Sequence, residues 1–531
     1  MAVATPPSAA APPPSPGARL AARPARVLLL GAVLLVAVCG FVYELVIVAM
    51  GTYLLGNSVE QVSLVLAAFV SSMGLGSLAA KPLLRFPLTA FLVVEVFIAL
   101  LGGLSALALY AAFAWLDLYQ PAMLVMAGGI GLLVGCEIPL LMGLLQRIRR
   151  AEAGQSVADL LAADYLGAVV AGVAFPLLLL PALGQIDAAL AVGALNLVAG
   201  AAVLWLLGPE LSRARRRWLL GGLLGAAGIL GATALLASSF ELSARQALYD
   251  DPIVLAERTR YQEVVVTESL RGGDVRLFLN GDLQFSSKDE ARYHEALVHP
   301  AMAGPHARVL VLGGGDGLAL REVLRHPGVR EATQVELDPR MLELARTDPR
   351  LRRLNGAALE DPRVDLVRAD AFAWLRTAPA RAGAFDVVIA DFPDPDDAAL
   401  AKLYSVELYG LVSRVLAPGG RLVVQSGSPA FARRAYWSVG TTMRAAGLST
   451  TAYHVDVPSF GDWGFHLATA DGGPPALDLQ PPPGGLETLD AASLAAAGTF
   501  APDRRRPTGD LVSTLDRPRI LQFAREGYQD Y

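Results

Sequence analysis

The chain has 531 residues, enough for two or three domains. Its 54% hydrophobic content is too high for an ordinary soluble protein, and a formal net charge of −5 lacks the basic balance of a nucleic-acid binder. Two cysteines, Cys39 and Cys136, and six histidines without HExxH-type spacing give no support to a disulfide framework or a histidine or cysteine metal site.

Residues 1–25, rich in Pro and Ala, read as a disordered cytoplasmic tail. A transmembrane domain is expected over 26–240, where seven apolar segments each reach the about 20 residues that a bilayer needs. They fall near Val27–Val48, Val62–Ala80, Leu88–Leu109, Met123–Leu145, Leu160–Leu183, Ile186–Leu207 and Trp218–Ser238. Basic residues alternate between the loops: Arg19, Arg23 and Arg26 come before the first segment, and Lys81 and Arg85 after the second. Arg147, Arg149 and Arg150 follow the fourth, and Arg213 and Arg215–Arg217 the sixth. The positive-inside rule sets the N-terminus in the cytosol of a multi-pass cell-membrane protein, and seven spans would leave everything after residue 240 outside. Glu44, Glu95, Glu137, Asp164 and Asn196 lie within spans. Polar groups at that depth mark either a transport or ligand-binding function or polar contacts between helices. Gly131, Gly135 and Gly143 suit close helix packing.

From Asp251 the composition becomes that of a soluble α/β domain. "YQEVVVTES", "VRLFLN" and "LQFSS" alternate like strands with turns between them, which predicts a β-hairpin layer over 250–290. Over 291–470 strands and helices alternate, from "RVLVLGG" and "GLALREVLRH" to "GRLVVQSG", the pattern of a doubly wound parallel sheet. Residues 471–531 read as a Pro-rich linker and C-terminal tail, with "LVSTLDRPRILQFAREGY" a candidate docking helix.

The chemistry concentrates in the sheet domain. Gly313, Gly315 and Gly317 sit between a strand and a helix, where glycines let backbone approach a ligand closely. Glu336 ends the next strand, where an acid binds ribose hydroxyls. Asp370, with Ala371 beside it, follows the third strand, placed to accept from an adenine amino group. These three stations describe an adenosine pocket common to nicotinamide cofactors and to S-adenosylmethionine and its relatives. Asp391 and Asp394, at the end of the fourth strand, converge with Asp316 of the glycine turn and with Tyr293, His294 and Glu295. Carboxylates gathered in one cleft destabilise each other unless positive charge meets them, so the expected ligand is a metal or an organic polycation. Without a basic phosphate clamp, the organic cation fits better.

These residues resemble the polyamine aminopropyltransferases (spermidine synthases), on "YQ" at Tyr261–Gln262, "NGDLQFSSKDEARYHEALVHPAM", "GGGDG", "VELD" and the Asp391–Asp394 segment, in that order. The apolar spans, with "EIPLL" and "ADYLGA", look like the membrane-embedded branch of that family. The resemblance implies a Rossmann-like, methyltransferase-type α/β fold behind an α-helical transmembrane bundle. It implies decarboxylated S-adenosylmethionine as co-substrate, with no cofactor or metal, putrescine as acceptor, and spermidine and methylthioadenosine as products. Asp391 would be the catalytic base. Gln262, Asp316, Glu336, Asp370 and Ala371 would bind the donor, and Tyr293, His294, Asp316 and Asp394 the acceptor. The partners would be these small molecules and the lipid bilayer, without nucleic acid; a homo-oligomer is left open. Phe392–Pro393 stands between the two aspartates where the family has Ser or Thr, Asp396–Ala399 replaces a Gly-Pro pair, and Phe460 replaces a tyrosine. Those departures put the acceptor's identity in question. A methyltransferase on the same fold, or a polyamine transporter or sensor, are the alternatives.

Overall fold

The computed structural model describes residues 16–55, 58–116, 118–148, 153–377 and 382–528. They divide into two compact units, Met1–Leu248 and Tyr249–Tyr531. Residues 1–15 of the expected tail, with Arg149 and Arg150, lie outside the described residues.

The first unit is helical: α1 (Pro16–Leu55), α2 (Ser58–Leu83), α3 (Pro87–Gly103), α4 (Ser105–Ala111), α5 (Tyr119–Ile148), α6 (Ala153–Ala174), α7 (Leu180–Leu207) and α8 (Arg213–Gln246). Since α1 starts at Pro16, residues 16–25 of the expected disordered tail are helical. Among the described residues, five helices are long and apolar enough to cross a membrane, or up to six if the pair Pro87–Gly103 and Ser105–Leu116, bent by 41°, is one span. With the bent pair counted as one span, the remaining difference from seven arises in one run of 48 residues, Leu160–Leu207, which holds the fifth and sixth expected spans. Its only non-helical backbone inside α7 is Gly184, at φ 73° and ψ −171°.

Helix α2 packs on α5 through glycine. A Cβ at Gly131 would lie 2.5 Å from Phe69 O, at Gly135 2.1 Å from Met73 O, and at Gly76 2.0 Å from Leu132 O. Gly143 meets only side chains. Glu95 and Asn196 are fully buried, and Asn196 Nδ2 donates to Glu95 Oε2 at 2.7 Å. Glu95 also hydrogen-bonds with buried Glu137, whereas Glu44 and Asp164 are half-buried.

The second unit opens with an antiparallel four-stranded sheet, β1 (Ile253–Arg258), β2 (Glu263–Glu268), β3 (Val275–Leu279) and β4 (Asp282–Ser286). Strand β1 adds to the three expected. The chain continues through α9 (Glu290–Val298), β5 (Arg308–Gly313), α10 (Leu318–Leu324), β6 (Glu331–Glu336), α11 (Pro339–Thr347), α12 (Pro349–Leu354), β7 (Val364–Arg368), α13 (Ala371–Arg376) and β8 (Phe385–Asp391). Then follow α14 (Ala398–Ala401), α15 (Val406–Val415), β9 (Leu416–Gln425), α16 (Arg433–Ala445), β10 (Ser449–Val457) and β11 (Gly461–Thr469). They form a seven-stranded sheet in the order β10-β11-β9-β8-β5-β6-β7. Strands β5 to β9 run parallel, and the β10–β11 hairpin is antiparallel at one edge. Val309 and Val311 face one core and Leu310 and Leu312 the other, as strand alternation requires of a sheet covered on both faces. The strand order reverses between β5 and β8, so the crevice for a ligand opens at their carboxyl ends.

The segment after residue 470 packs on the domain instead of running as a linker and tail, and a helix forms over Arg519–Tyr528, within the stretch read as a docking helix. The segment carries α17 (Ala491–Ala497) and α18 (Arg519–Tyr528). Leu494 packs in one core, and Leu511, Ile520, Phe523 and Ala524 in the other. The backbone N–H groups of Glu487 and Thr488 donate to the Glu295 carboxylate at 2.7 and 2.8 Å. Proline keeps this stretch out of regular structure without keeping it off the domain.

Candidate active site

The glycine turn joins β5 to β8 with no room for a side chain. Gly313, at φ +81°, would bring a Cβ to 2.2 Å from Asp391 O, and Gly314 N–H donates to that same oxygen at 3.0 Å. Gln334 Nε2 closes the turn from the neighbouring strand, donating to Gly314 O at 2.6 Å and Gly313 O at 3.1 Å. A Cβ on Gly315 would lie 2.9 Å from Glu336 Oε2. The turn therefore sets the end of β6 against the end of β8.

On the β6 side, Glu336 Oε1 accepts from Asp338 N–H at 2.8 Å, and Asp338 Oδ2 accepts from Gln262 Nε2 at 3.2 Å. Gln262 and Glu336 thus meet through Asp338, which sequence reading missed although it lies within "VELD". Burial, with the Asp338 and Asp316 charges adding to it, pushes Glu336 up to about 7. Asp370, at the end of β7, is held by two partners. Its Oδ1 caps α13 by accepting from Ala373 N–H at 2.8 Å, and its Oδ2 pairs with Lys402 at 2.6 Å. Both oxygens already hold donors, while the backbone of buried Ala371 follows directly.

At the centre, Tyr293 Oη donates to Asp391 Oδ1 at 2.7 Å. Burial pushes Asp391 up to about 6 against the opposing pull of His294, and Asp316 adds to the rise. Burial also raises Asp316, whose Oδ1 accepts from Leu318 N–H at 2.8 Å. His294 Nδ1 is 2.9 Å from Glu290 Oε2, and Arg321 holds both Glu290 oxygens at 2.8 and 2.9 Å. Burial works against the charge on Glu290, but His294 and Arg321 hold it down to about 2. Burial lowers His294 and Glu290 outweighs that, leaving it raised. Glu290 and Arg321 fix the His294 ring and were not expected from sequence.

Beyond Asp391, Asp394 accepts from Gln425 Nε2 at 3.0 Å on Oδ1 and from Tyr528 Oη at 2.9 Å on Oδ2. Tyr404 Oη donates to Pro393 O at 2.9 Å, steadying the loop between the two aspartates. Of the two extra acids, Asp397 caps α14 through Leu400 N–H at 2.7 Å. Asp396 is pushed up to about 7 by burial and by Asp282, Asp397 and Asp394. Asp282 is exposed as a residue, yet its carboxyl is ringed by protein and by the Asp394 charge, which carry it to about 6. Phe460 has its ring 5.9 Å from Tyr293 and 5.0 Å from Trp463, walling this end. Among the described residues, no group of three or more His, Cys, Asp or Glu is arranged to hold a metal ion. Asp316, Asp391, Asp394, Tyr293 and His294 thus share one electrostatic environment, with Gln262 and Glu336 across the glycine turn.

Residues 290–480 match the spermine/spermidine synthase domain. Polyamine aminopropyltransferase 1 of Streptomyces coelicolor is 56% identical over 527 residues, covering 98% of each chain. The polyamine aminopropyltransferase of Mycobacterium tuberculosis is 47% identical over 510 residues, 95% of this chain and 97% of that one. That of Corynebacterium efficiens is 44% identical over 509 residues, 95% and 96% of the two. With an acid-lined crevice at the reversal of its sheet and relatives matched end to end, the chain belongs to the polyamine aminopropyltransferases.

Proposed function

We propose that the sheet unit transfers the aminopropyl group of decarboxylated S-adenosylmethionine to a diamine, putrescine foremost, giving spermidine and methylthioadenosine. The observation that carries this reading is a pair of carboxylates, Asp316 within the glycine turn and Asp391 at the end of the strand that the turn abuts. Both carboxylates then face cations: Asp316 the donor's ammonium, Asp391 the attacking amine. Gln262 and Glu336 hold the thioadenosine and ribose. Asp370 and Ala371 read the adenine, the Asp370 carboxylate keeping acceptor capacity beyond the two donors it already holds.

The acceptor enters with both amines protonated, near a pKa of roughly 10. Asp391 Oδ1 is held by Tyr293, which leaves Oδ2, the oxygen next to Gly314, to take the proton. The freed lone pair attacks the methylene beside sulfur, the C–S bond breaks toward neutral thioether, and one proton leaves per turnover. Positioning two cations against fixed carboxylates supplies most of the acceleration. Incubation with donor and putrescine is expected to yield methylthioadenosine and spermidine. S-adenosylhomocysteine from S-adenosylmethionine, or no product at all, would reverse the assignment.

The helical unit we read as seven spans of a multi-pass cell-membrane protein. The 48-residue run is about 72 Å long at 1.5 Å per residue, more than twice a bilayer core, which supports two crossings divided at Gly184. With Lys81, Arg85 and Arg213–Arg217 on the cytosolic side, an odd count sets the sheet unit outside. Alkaline phosphatase fused after residue 245 is expected to be active. Activity there of a cytosol-only reporter instead would reduce the count to an even number.

A further inference from the structure

Asp394 is the carboxylate at the far end of the acceptor crevice, and one of its two donors comes from α18, 134 residues away in sequence. Tyr528 Oη sits between Asp394 Oδ2 and Ser428 N–H, which donates to it at 3.3 Å. The hydroxyl lies beside Gly427, where a Cβ would stand 3.1 Å from it and 3.6 Å from the Asp394 oxygens. Burial and the Asp394 charge keep the phenol protonated, so toward Asp394 it can only donate.

Helix α18 is held firmly enough to place that hydroxyl. Ile520, Phe523 and Ala524 are buried in the core. A Cβ on Gly527 would meet Ala432 Cα at 2.5 Å, so backbone rests on backbone one residue before the tyrosine. Arg434 stacks over Phe523 at 4.0 Å and pairs with Glu526 at 2.8 Å. Arg525 donates twice to Asp396 O, at 3.0 and 3.3 Å, binding the helix to the loop that carries Asp394.

We propose that Tyr528 is a specificity-determining residue of the acceptor site, fixing Asp394 in the orientation that receives the distal ammonium of a primary diamine. The inference rests on the aminopropyl-transfer reading given above. With Gln425 on one oxygen and Tyr528 on the other, Asp394 cannot swing, so the span from Asp391 to Asp394 becomes a fixed gauge of chain length. Without the phenol donor the carboxylate turns more freely and diamines of neighbouring lengths compete better.

The test is Tyr528→Phe in the full-length protein, which keeps the aromatic ring and removes only the hydroxyl. Initial rates with propane-1,3-diamine, butane-1,4-diamine and pentane-1,5-diamine are compared with wild type. The acceptor KM for the preferred diamine should rise roughly 10- to 100-fold, the worth of a hydrogen bond to a charged group. The donor KM should stay put, kcat should fall far less, and the preference among the three lengths should shrink. Unchanged acceptor KM, or equal losses for donor and acceptor with a lower Tm, would make the contact merely structural and overturn the proposal. If the wild-type chain binds diamines without transferring to them, the aminopropyl reading fails. The same ranking by calorimetric titration would then still test Tyr528. Neither transfer nor binding by wild type would overturn both.

Discussion

Asp391→Asn is expected to lower kcat by roughly 10²- to 10⁴-fold, the range of general-base effects, while donor binding survives. The wild-type rate should fall as pH drops through about 6, where the raised Asp391 carboxyl takes up a proton and can no longer accept one. The variant should lack that limb. Part of its loss should return toward alkaline pH, where free amine exists without help. Asp316→Asn should behave differently, because its contact with the donor's ammonium exists before and in the transition state. Donor KM should rise with a smaller fall in kcat. Steady-state kinetics of both variants across pH decide the matter. An unchanged kcat in folded Asp391→Asn would move the base elsewhere.

Gly313→Ala should be nearly as damaging. Its φ of +81° costs an L side chain about 1–2 kcal/mol by itself, and the new methyl would lie 2.2 Å from a carbonyl oxygen that must then move. That carbonyl belongs to Asp391, so the displacement reaches the reacting groups. A 1 Å misplacement costs on the order of 10²-fold in rate. Gly356→Ala is the control, since it shares a positive φ of +61° but meets nothing within 4 Å. Both variants should lose some thermal stability, and only Gly313→Ala should lose kcat/KM by about 10²-fold or more. Equal kinetics in the two would remove the steric argument.

The parts of the site that were legible in the sequence are those the chain builds locally. A strand, a glycine turn and a helix announce Asp316, and an acid at the end of the next strand announces Glu336. The same grammar has two meanings at Asp370. An aspartate just before a helix is equally the signature of an N-cap, and here the cap and Lys402 have both its oxygens. Tyr528 was illegible because nothing local distinguishes it: its meaning comes from folding α18 back onto a loop far upstream. The β10–β11 hairpin escaped for another reason. Many of its side chains are half-buried, which blurs the alternation that marks a strand. In the helical unit hydropathy found the apolar segments, and the short polar break "GQID" at Gly184–Asp187 divided the fifth from the sixth inside a run that the helix carries through almost without interruption.

The crowd of raised carboxyls has a thermochemical consequence. With Asp391 near 6 and Glu336 and Asp396 near 7, the empty crevice holds fractional protons at neutral pH. A polycation entering the crevice favours the ionised forms, so those protons are expelled to the buffer as the substrate docks. The heat of docking then contains the buffer's own ionisation enthalpy and changes with the choice of buffer, even where every contact with the ligand is the same.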